Sequence, residues 1–176
     1  MRKVIEPCVR SPKVYEVYRK YYDEVLVEFK RESVNSDRIT VTLKGERDLT
    51  RLKLSPKKIT VIKPMNRSLI KKALDLGAKI IRIDTDNYSL MKKGQLNLFR
   101  QYDVIIELPL NAVNYLIVKN VASWSTRYVI DVVLSSCSEG LEVWHPLSKM
   151  ALLTSLGVSE VDAFHFVFIS PLRLLT

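Results

Sequence analysis

The chain has 176 residues, 47% of them apolar and 27% charged, with a formal net charge of +9. That length suits one domain, residues 1–176, with a sizeable core, and the apolar share excludes wholesale disorder. The charge is lopsided: residues 1–72 hold 19 Lys/Arg against 9 Asp/Glu, whereas residues 73–176 hold 9 against 10.

Short apolar runs alternate with helical patterns along the chain. Val4–Ile5 opens a first strand that ends near Glu6–Pro7, and Ser11-Pro12 starts a helix to about Tyr22. Serine suits the cap there and proline the first helical position. Val25–Phe29, Ile39–Leu43 and Lys58–Ile62 read as the second, third and fourth strands. Asn66 caps a helix to about Leu76, and Gly77 stops it, as glycine does in a left-handed position. Lys79–Ile83 is a fifth strand, Tyr88–Arg100 a helix, Asp103–Leu108 a sixth strand and Asn111–Val121 a helix. Arg127–Leu134 reads as a seventh strand, and Pro146–Leu156 as a helix stopped by Gly157. Ser159 caps a last helix with Glu160 and Asp162 in its first turn, and Pro171 ends it.

Repeated strand–helix alternation predicts parallel strands joined by crossover helices. Seven such strands close into a barrel or lie as an open doubly wound sheet, and periodicity does not separate the two.

The basic excess is densest in Lys44–Lys72, with ten cations against Glu46 and Asp48. Leu49, Leu52, Leu54, Ile59, Val61 and Ile62 interleave with them, so the charge decorates folded structure. Such a one-sided field attracts polyanions, and nucleic acid is the first partner it suggests. The plainer reading is a solvated surface. Against it, each neutralised phosphate adds about 0.7 to 0.9 to the salt slope of binding, so several contacts give a large affinity. The pattern suits gripping backbone and shape, as in structured RNA, rather than reading bases.

Cys8 and Cys137 are the only cysteines, far apart and in no CxxC pair, which suggests a reducing compartment. The N-terminus MRKVIEPCVR lacks the apolar run of a signal peptide, and no stretch approaches the roughly 18 apolar residues of a membrane span. The expected location is the cytoplasm, without a membrane partner.

Catalytic motifs are sparse. The five glycines are isolated, so neither GxGxxG nor a P-loop occurs, and only His145 and His165 offer imidazoles. A carboxylate-only magnesium site from Glu6, Asp84, Asp86 and Glu107 is an alternative that makes the chain a stand-alone nuclease or phosphoesterase. The preferred reading makes Asp84 and Asp86 loop residues and Glu107 a paired polar residue. In Ser135–Ser138, Cys137 has only His145 nearby as a base, and a tight turn of small residues is the plainer account. Among the tyrosines, Tyr18 and Tyr21 are expected in the core, with Tyr15 or Tyr22 free to stack on bases. Ala163–Ile169 reads as a core helix or, alternatively, a sticky face for protein partners.

An ordered set of segments carries a resemblance. Thr126–Ser159 has a strand running into Ser-Ser-small at Val132–Cys137, a proline at Pro146 and a Leu-Gly stop at Leu156-Gly157. Val4–Phe29 has the strand–helix–strand opening, with a Tyr-Asp-Glu-Val entry at Tyr22–Val25, and Asn66–Asn87 and Asp103–Leu110 agree more loosely. Together they resemble the archaeal and eukaryotic ribonuclease P protein component 3 family. The chain departs from that pattern at Trp144, where the family has an arginine, and at Ser148, where it has an aspartate. It is also shorter around residues 35–52 and 111–123.

The resemblance implies a TIM-barrel-like (PHP-like) α/β fold of about seven parallel strands and a role in removing the 5′ leader from precursor tRNA. It implies that the ribonuclease P RNA and its Mg²⁺ do the chemistry, with no cofactor or catalytic residue on this chain. Implied partners are that RNA, precursor tRNA, a small ferredoxin-like protein subunit and the other ribonuclease P proteins. The residues expected to meet RNA phosphates are Lys53, Lys57, Lys58, Lys63, Arg67, Lys71 and Lys72, then Arg82, Lys92 and Lys93.

Overall fold

The structure is a computed structural model that describes residues 3–28, 36–50, 52, 54, 57–140 and 142–175. Its strands are β1 (Ile5–Val9), β2 (Glu24–Val27), β3 (Arg38–Leu43), β4 (Ile59–Pro64), β5 (Ile80–Arg82), β6 (Ile105–Pro109) and β7 (Asp131–Ser135). All pair in parallel, β1 with β2 and, separately, β3-β4-β5-β6-β7 in sequence order. Sequential order in a parallel sheet needs a crossover between neighbours, and helices supply most of them. These are α1 (Pro12–Tyr18), α2 (Glu46–Thr50), α3 (Arg67–Asp75), α4 (Lys93–Gln101) and α5 (Tyr115–Tyr128). After β7 come α6 (Pro146–Ser155) and α7 (Glu160–Phe164), then a π-type turn at His165–Ile169 and 3₁₀ turns to Leu175.

Each central strand buries both faces, as parallel strands do. Ile62, Ile81, Ile106, Val132 and Leu134 face the helices and pack with Leu69, Phe99, Val118 and Leu153. The alternate residues Val61, Ile80, Ile105 and Val133 form a second core with Ile5, Leu26 and Leu174. β1, β2 and the C-terminal segment therefore cover the inner face of the five-stranded sheet.

A few hydrogen bonds join the two sheets at each edge. Asp37 N donates to Val27 O (3.1 Å) beside β3. At the other edge Cys137 N donates to Cys8 O (2.8 Å), Arg10 N to Ser138 O (3.1 Å), and Val9 and Ser138 form an isolated parallel bridge. The α/β, all-parallel expectation holds, but among the described residues the ladders are five strands plus two, not a continuous seven-stranded barrel. A register shift between Glu6 and Val9 and the short β2 limit how far β1 and β2 extend either ladder.

Several predicted boundaries move. The first helix stops at Tyr18, so the helical period ends there: Tyr22 is buried with Tyr18, while Tyr21 is exposed, the reverse of the expected order. Residues 88–100 divide into a 3₁₀ turn (Tyr88–Leu90) and α4. α5 runs on to Tyr128, so Arg127 and Tyr128 are helical rather than strand. The last helix is shorter than expected, and Pro171 lies inside the 3₁₀ turns instead of ending it.

Candidate functional site

Arg38 at the start of β3, Arg82 of β5, Glu107 of β6, Glu28 just after β2 and Arg10 just after β1 meet in a buried ionic network. Register places Arg82 directly opposite Glu107, and Arg82 Nε donates to Glu107 Oε2 at 2.9 Å. Arg38 grips the same carboxylate, Nη1 2.7 Å from Oε1 and Nη2 2.9 Å from Oε2. Arg38 Nε also donates to Glu28 Oε2 (3.0 Å), and Arg10 Nη2 to Glu28 Oε1 (2.7 Å). Burial opposes charge on Glu107, but the Arg38 and Arg82 guanidiniums outweigh it and hold the carboxyl well below the usual carboxylate range. The same balance, from Arg38, Arg82 and Arg10, lowers Glu28. Both guanidiniums of the Glu107 pair are correspondingly raised.

Beside this network sits Glu6. It accepts from the N–H groups of Cys8 (3.1 Å) and Ser136 (2.9 Å), from Ser136 Oγ (2.8 Å) and from Lys149 Nζ (2.6 Å). Lys149 Nζ also donates to Leu134 O at 2.9 Å and lies over the Tyr22 ring. Burial pushes the Tyr18 hydroxyl up to about 12, and the neighbouring Glu6 charge adds to it.

The four carboxylates weighed for a magnesium site do not converge. Glu107 is held by Arg38 and Arg82, Glu6 by Lys149, and Asp84 and Asp86 by Lys63, at 2.6 Å each. Among the described residues the one metal-sized cluster is Cys8, Glu107 and Cys137, all buried. Arg82 Nη2 already stands between its members, 3.1 Å from Cys137 Sγ and 3.9 Å from Cys8 Sγ. A metal cation there would have to displace a guanidinium and sit among three arginines. The pocket instead holds its anions by fixed protein cations, and leaves no carboxylate free to act as a general base.

The predicted RNA-facing cations separate into several places. β4 is six residues long, so its two ends stand about 17 Å apart. Lys57 and Lys58 lie at its start, and Lys58 and Lys79 line one hollow there with Arg173. Lys63 and Arg67 lie at its finish. Arg67 is exposed, with Nη2 3.8 Å from where a Cβ on Gly94 would stand, so its guanidinium lies against the first turn of α4. Lys92 and Lys93, both exposed, open that helix, and Lys92 makes no side-chain cap. Arg67, Lys92 and Lys93 thus crowd a helix N-terminus, where free N–H groups add positive potential. Lys71 and Lys72 lie within α3 and meet Asp75 (3.6 Å) and Glu46 respectively. Lys63 is half-buried against Asp84 and Asp86.

Arg82 corrects the sequence reading. It is 3% exposed and committed to Glu107, so it does not belong to a phosphate-facing surface. Lys53 lies outside the described residues. Sequence reasoning missed Arg38, Glu28, Lys149 and the meeting of Cys8 with Cys137. One local signal existed: Glu6, Arg82 and Glu107 are single charges inside apolar strands, and a charge in a strand buried on both faces needs a buried partner.

The helix start at Pro146 has no acid in its first turn; His145 Nδ1 accepts from Leu147 N at 3.1 Å instead. His145 also packs edge-on against Tyr21, so it is not engaged as a base for Cys137. Trp144 is held by its backbone, donating to Tyr18 Oη (3.1 Å) and accepting from Tyr22 Oη (2.6 Å).

No family's sequence profile matches the chain, and no curated protein matches its sequence. Solved structures do resemble it. A chain of the cryo-EM structure of archaeal ribonuclease P with mature tRNA superimposes with a TM-score of 0.66 at 16% identity, covering 94% of this chain and 78% of that one. The crystal structure of an uncharacterized protein superimposes with a TM-score of 0.58 at 9% identity, covering 80% of this chain and 44% of that one. At these identities what is shared is the fold.

Proposed function

We propose that this chain is a protein subunit of ribonuclease P, binding and stabilising the catalytic RNA that removes the 5′ leader from precursor tRNA. The observation that carries the reading is the fold shared with a chain of archaeal ribonuclease P over 94% of this chain, and the family resemblance of the sequence points the same way. In this reading the inner face acts as a structural core, and its shape is that of a barrel in which β1 and β2 complete the curve of the five-stranded sheet. The Arg67, Lys92 and Lys93 corner supports an electrostatic grip on RNA phosphates, with Lys57 and Lys58 as a second contact at the opposite strand end. Mg²⁺ belongs to the RNA subunit, and a small ferredoxin-like protein is the expected neighbour.

The test is RNA binding by the chain and by Arg67→Glu/Lys92→Glu/Lys93→Glu, measured against salt. Losing three phosphate contacts should weaken binding at every salt and lower the slope of log K against log salt by about 2. An unchanged slope would remove that corner from the RNA surface. The stand-alone nuclease alternative is tested by incubating the purified chain with Mg²⁺ or Mn²⁺ and precursor tRNA. Cleavage abolished by Asp84→Ala would replace the proposal.

A further inference from the structure

Cys8 and Cys137 are remote in sequence and adjacent in space. Val9 pairs with Ser138 in a parallel bridge, so Cys8 stands opposite Cys137 one position earlier, and Cys137 N donates to Cys8 O at 2.8 Å. Neighbouring parallel strands lie about 4.8 Å apart, inside the roughly 4.4–6.8 Å Cα spacing that a disulfide requires. Both thiols leave on the same face: Arg82 Nη2 touches both, and the two sulfurs lie within 4.8 Å of each other. They are free and fully buried.

We propose that Cys8 and Cys137 form an oxidative modification site, in which hydrogen peroxide converts the thiol pair to a disulfide that staples β1 to the segment leaving β7. The two sulfurs are not equivalent. Cys137 Sγ has Arg82 Nη2 at 3.1 Å and Ser135 Oγ at 3.3 Å, and its backbone is held in the left-handed region (φ 43°). Burial resists its ionisation, but the Cys8 hydrogen bond and the Arg82 and Arg38 charges bring the Cys137 thiol below its ordinary value. Burial and the Cys137 partner push Cys8 up. Cys137 is therefore the nucleophile and Cys8 the thiol that resolves it.

The chemistry balances with peroxide as the sole oxidant. The Cys137 thiolate attacks one peroxide oxygen, an S–O bond forms, the O–O bond breaks, and hydroxide leaves with a proton as water. Cys8 sulfur then attacks the resulting sulfenic acid. The S–S bond forms, the S–O bond breaks, and a second water leaves with the Cys8 proton. Two thiols and one peroxide give one disulfide and two waters. Peroxide is close to water in size, so it suits sulfurs that larger oxidants cannot approach. The seam it crosslinks is held by few backbone bonds, which is why a covalent tie there should matter.

The experiment treats the whole chain with hydrogen peroxide, denatures it with N-ethylmaleimide present, and measures intact mass, linked peptides and Tm. Expected are no maleimide uptake, a mass lower by two hydrogens, a Cys8–Cys137 linked peptide, and a rise in Tm of about 5 °C or more, reversed by dithiothreitol. Two maleimides per chain, or sulfinic acids without a linked peptide, would overturn the proposal. In Cys8→Ser the Cys137 sulfenic acid should persist and be trapped by dimedone added with the denaturant, with no rise in Tm. Failure of dimedone to label Cys137 in that variant, or oxidation of Cys8 at the wild-type rate in Cys137→Ser, would refute the assigned roles.

Discussion

At the scale of single residues, the interior is organised by arginines rather than by hydrophobic contact alone. Arg38 is 1% exposed and joins β3 to both Glu28 and Glu107. Deleting it takes one guanidinium from each of two buried carboxylates, leaving Glu107 to Arg82 and Glu28 to Arg10, so Arg38→Ala should lose about 3–5 kcal/mol in urea unfolding at neutral pH. A loss under 1 kcal/mol would mean that water replaces the guanidinium freely. Arg82→Ala should show a loss of similar size while leaving the salt slope of RNA binding unchanged, which separates a core arginine from a phosphate contact. The depressed Glu107 and Glu28 also set a pH dependence. Their stabilisation is fully present above the unfolded value near 4.5 and is lost as pH falls from there toward the folded values. The urea midpoint should therefore drop steeply between pH 5 and pH 3, and a flat profile would contradict the ionised network. Little of this was legible beforehand. Single charges in apolar strands announced that partners existed, but Arg38 and Glu28 flank residues 29–35, and nothing in their neighbours' identities names Glu107 as the shared target.

At the scale of elements, the helix stops were readable where glycine makes them and misread where another residue does. Gly77 (φ +97°) and Gly157 (φ +87°) end their helices as the sequence predicts. Val129 does the same work at the end of α5 (φ 55°), without any glycine signal, and the β-branched run after it imitates an earlier strand start. A β-branched residue in the left-handed region is strained by about 1–2 kcal/mol, and Val129 is exposed with no packing to lose. Val129→Gly should therefore raise Tm by a few degrees in calorimetry; a lower Tm would show that the side chain stabilises the turn. The cationic corner is likewise an element property. Lys92 and Lys93 are unremarkable in sequence, but the break at Met91 turns them into the start of α4, and α3 delivers Arg67 beside them. Sequence reasoning found these cations by composition, yet only the fold separates them from Lys57 and Lys58 at the far strand end.

At the scale of the whole molecule, strand–helix alternation gave the parallel α/β class directly, because that rhythm has few physical solutions. Sheet closure was not legible. It depends on how β1 and β2 meet the edges of the other five strands, through contacts such as Cys137 to Cys8 that join distant parts of the chain. The charge asymmetry keeps its meaning in altered form: residues 1–72 supply surface cations such as Lys57, Lys58 and Arg67, residues 73–176 add Lys92 and Lys93, and Arg38 and Arg82 are held inside. This division agrees with the proposed function, in which the chain holds RNA rather than cutting it. The measurement that tests the central claim most directly is precursor tRNA cleavage by ribonuclease P RNA, reconstituted with its other protein subunits and Mg²⁺, with and without this chain. The account predicts that adding the chain raises cleavage at limiting Mg²⁺ and that the chain alone cleaves nothing. Equal cleavage with and without it, or cleavage by the chain in the absence of the RNA subunit, would contradict the account.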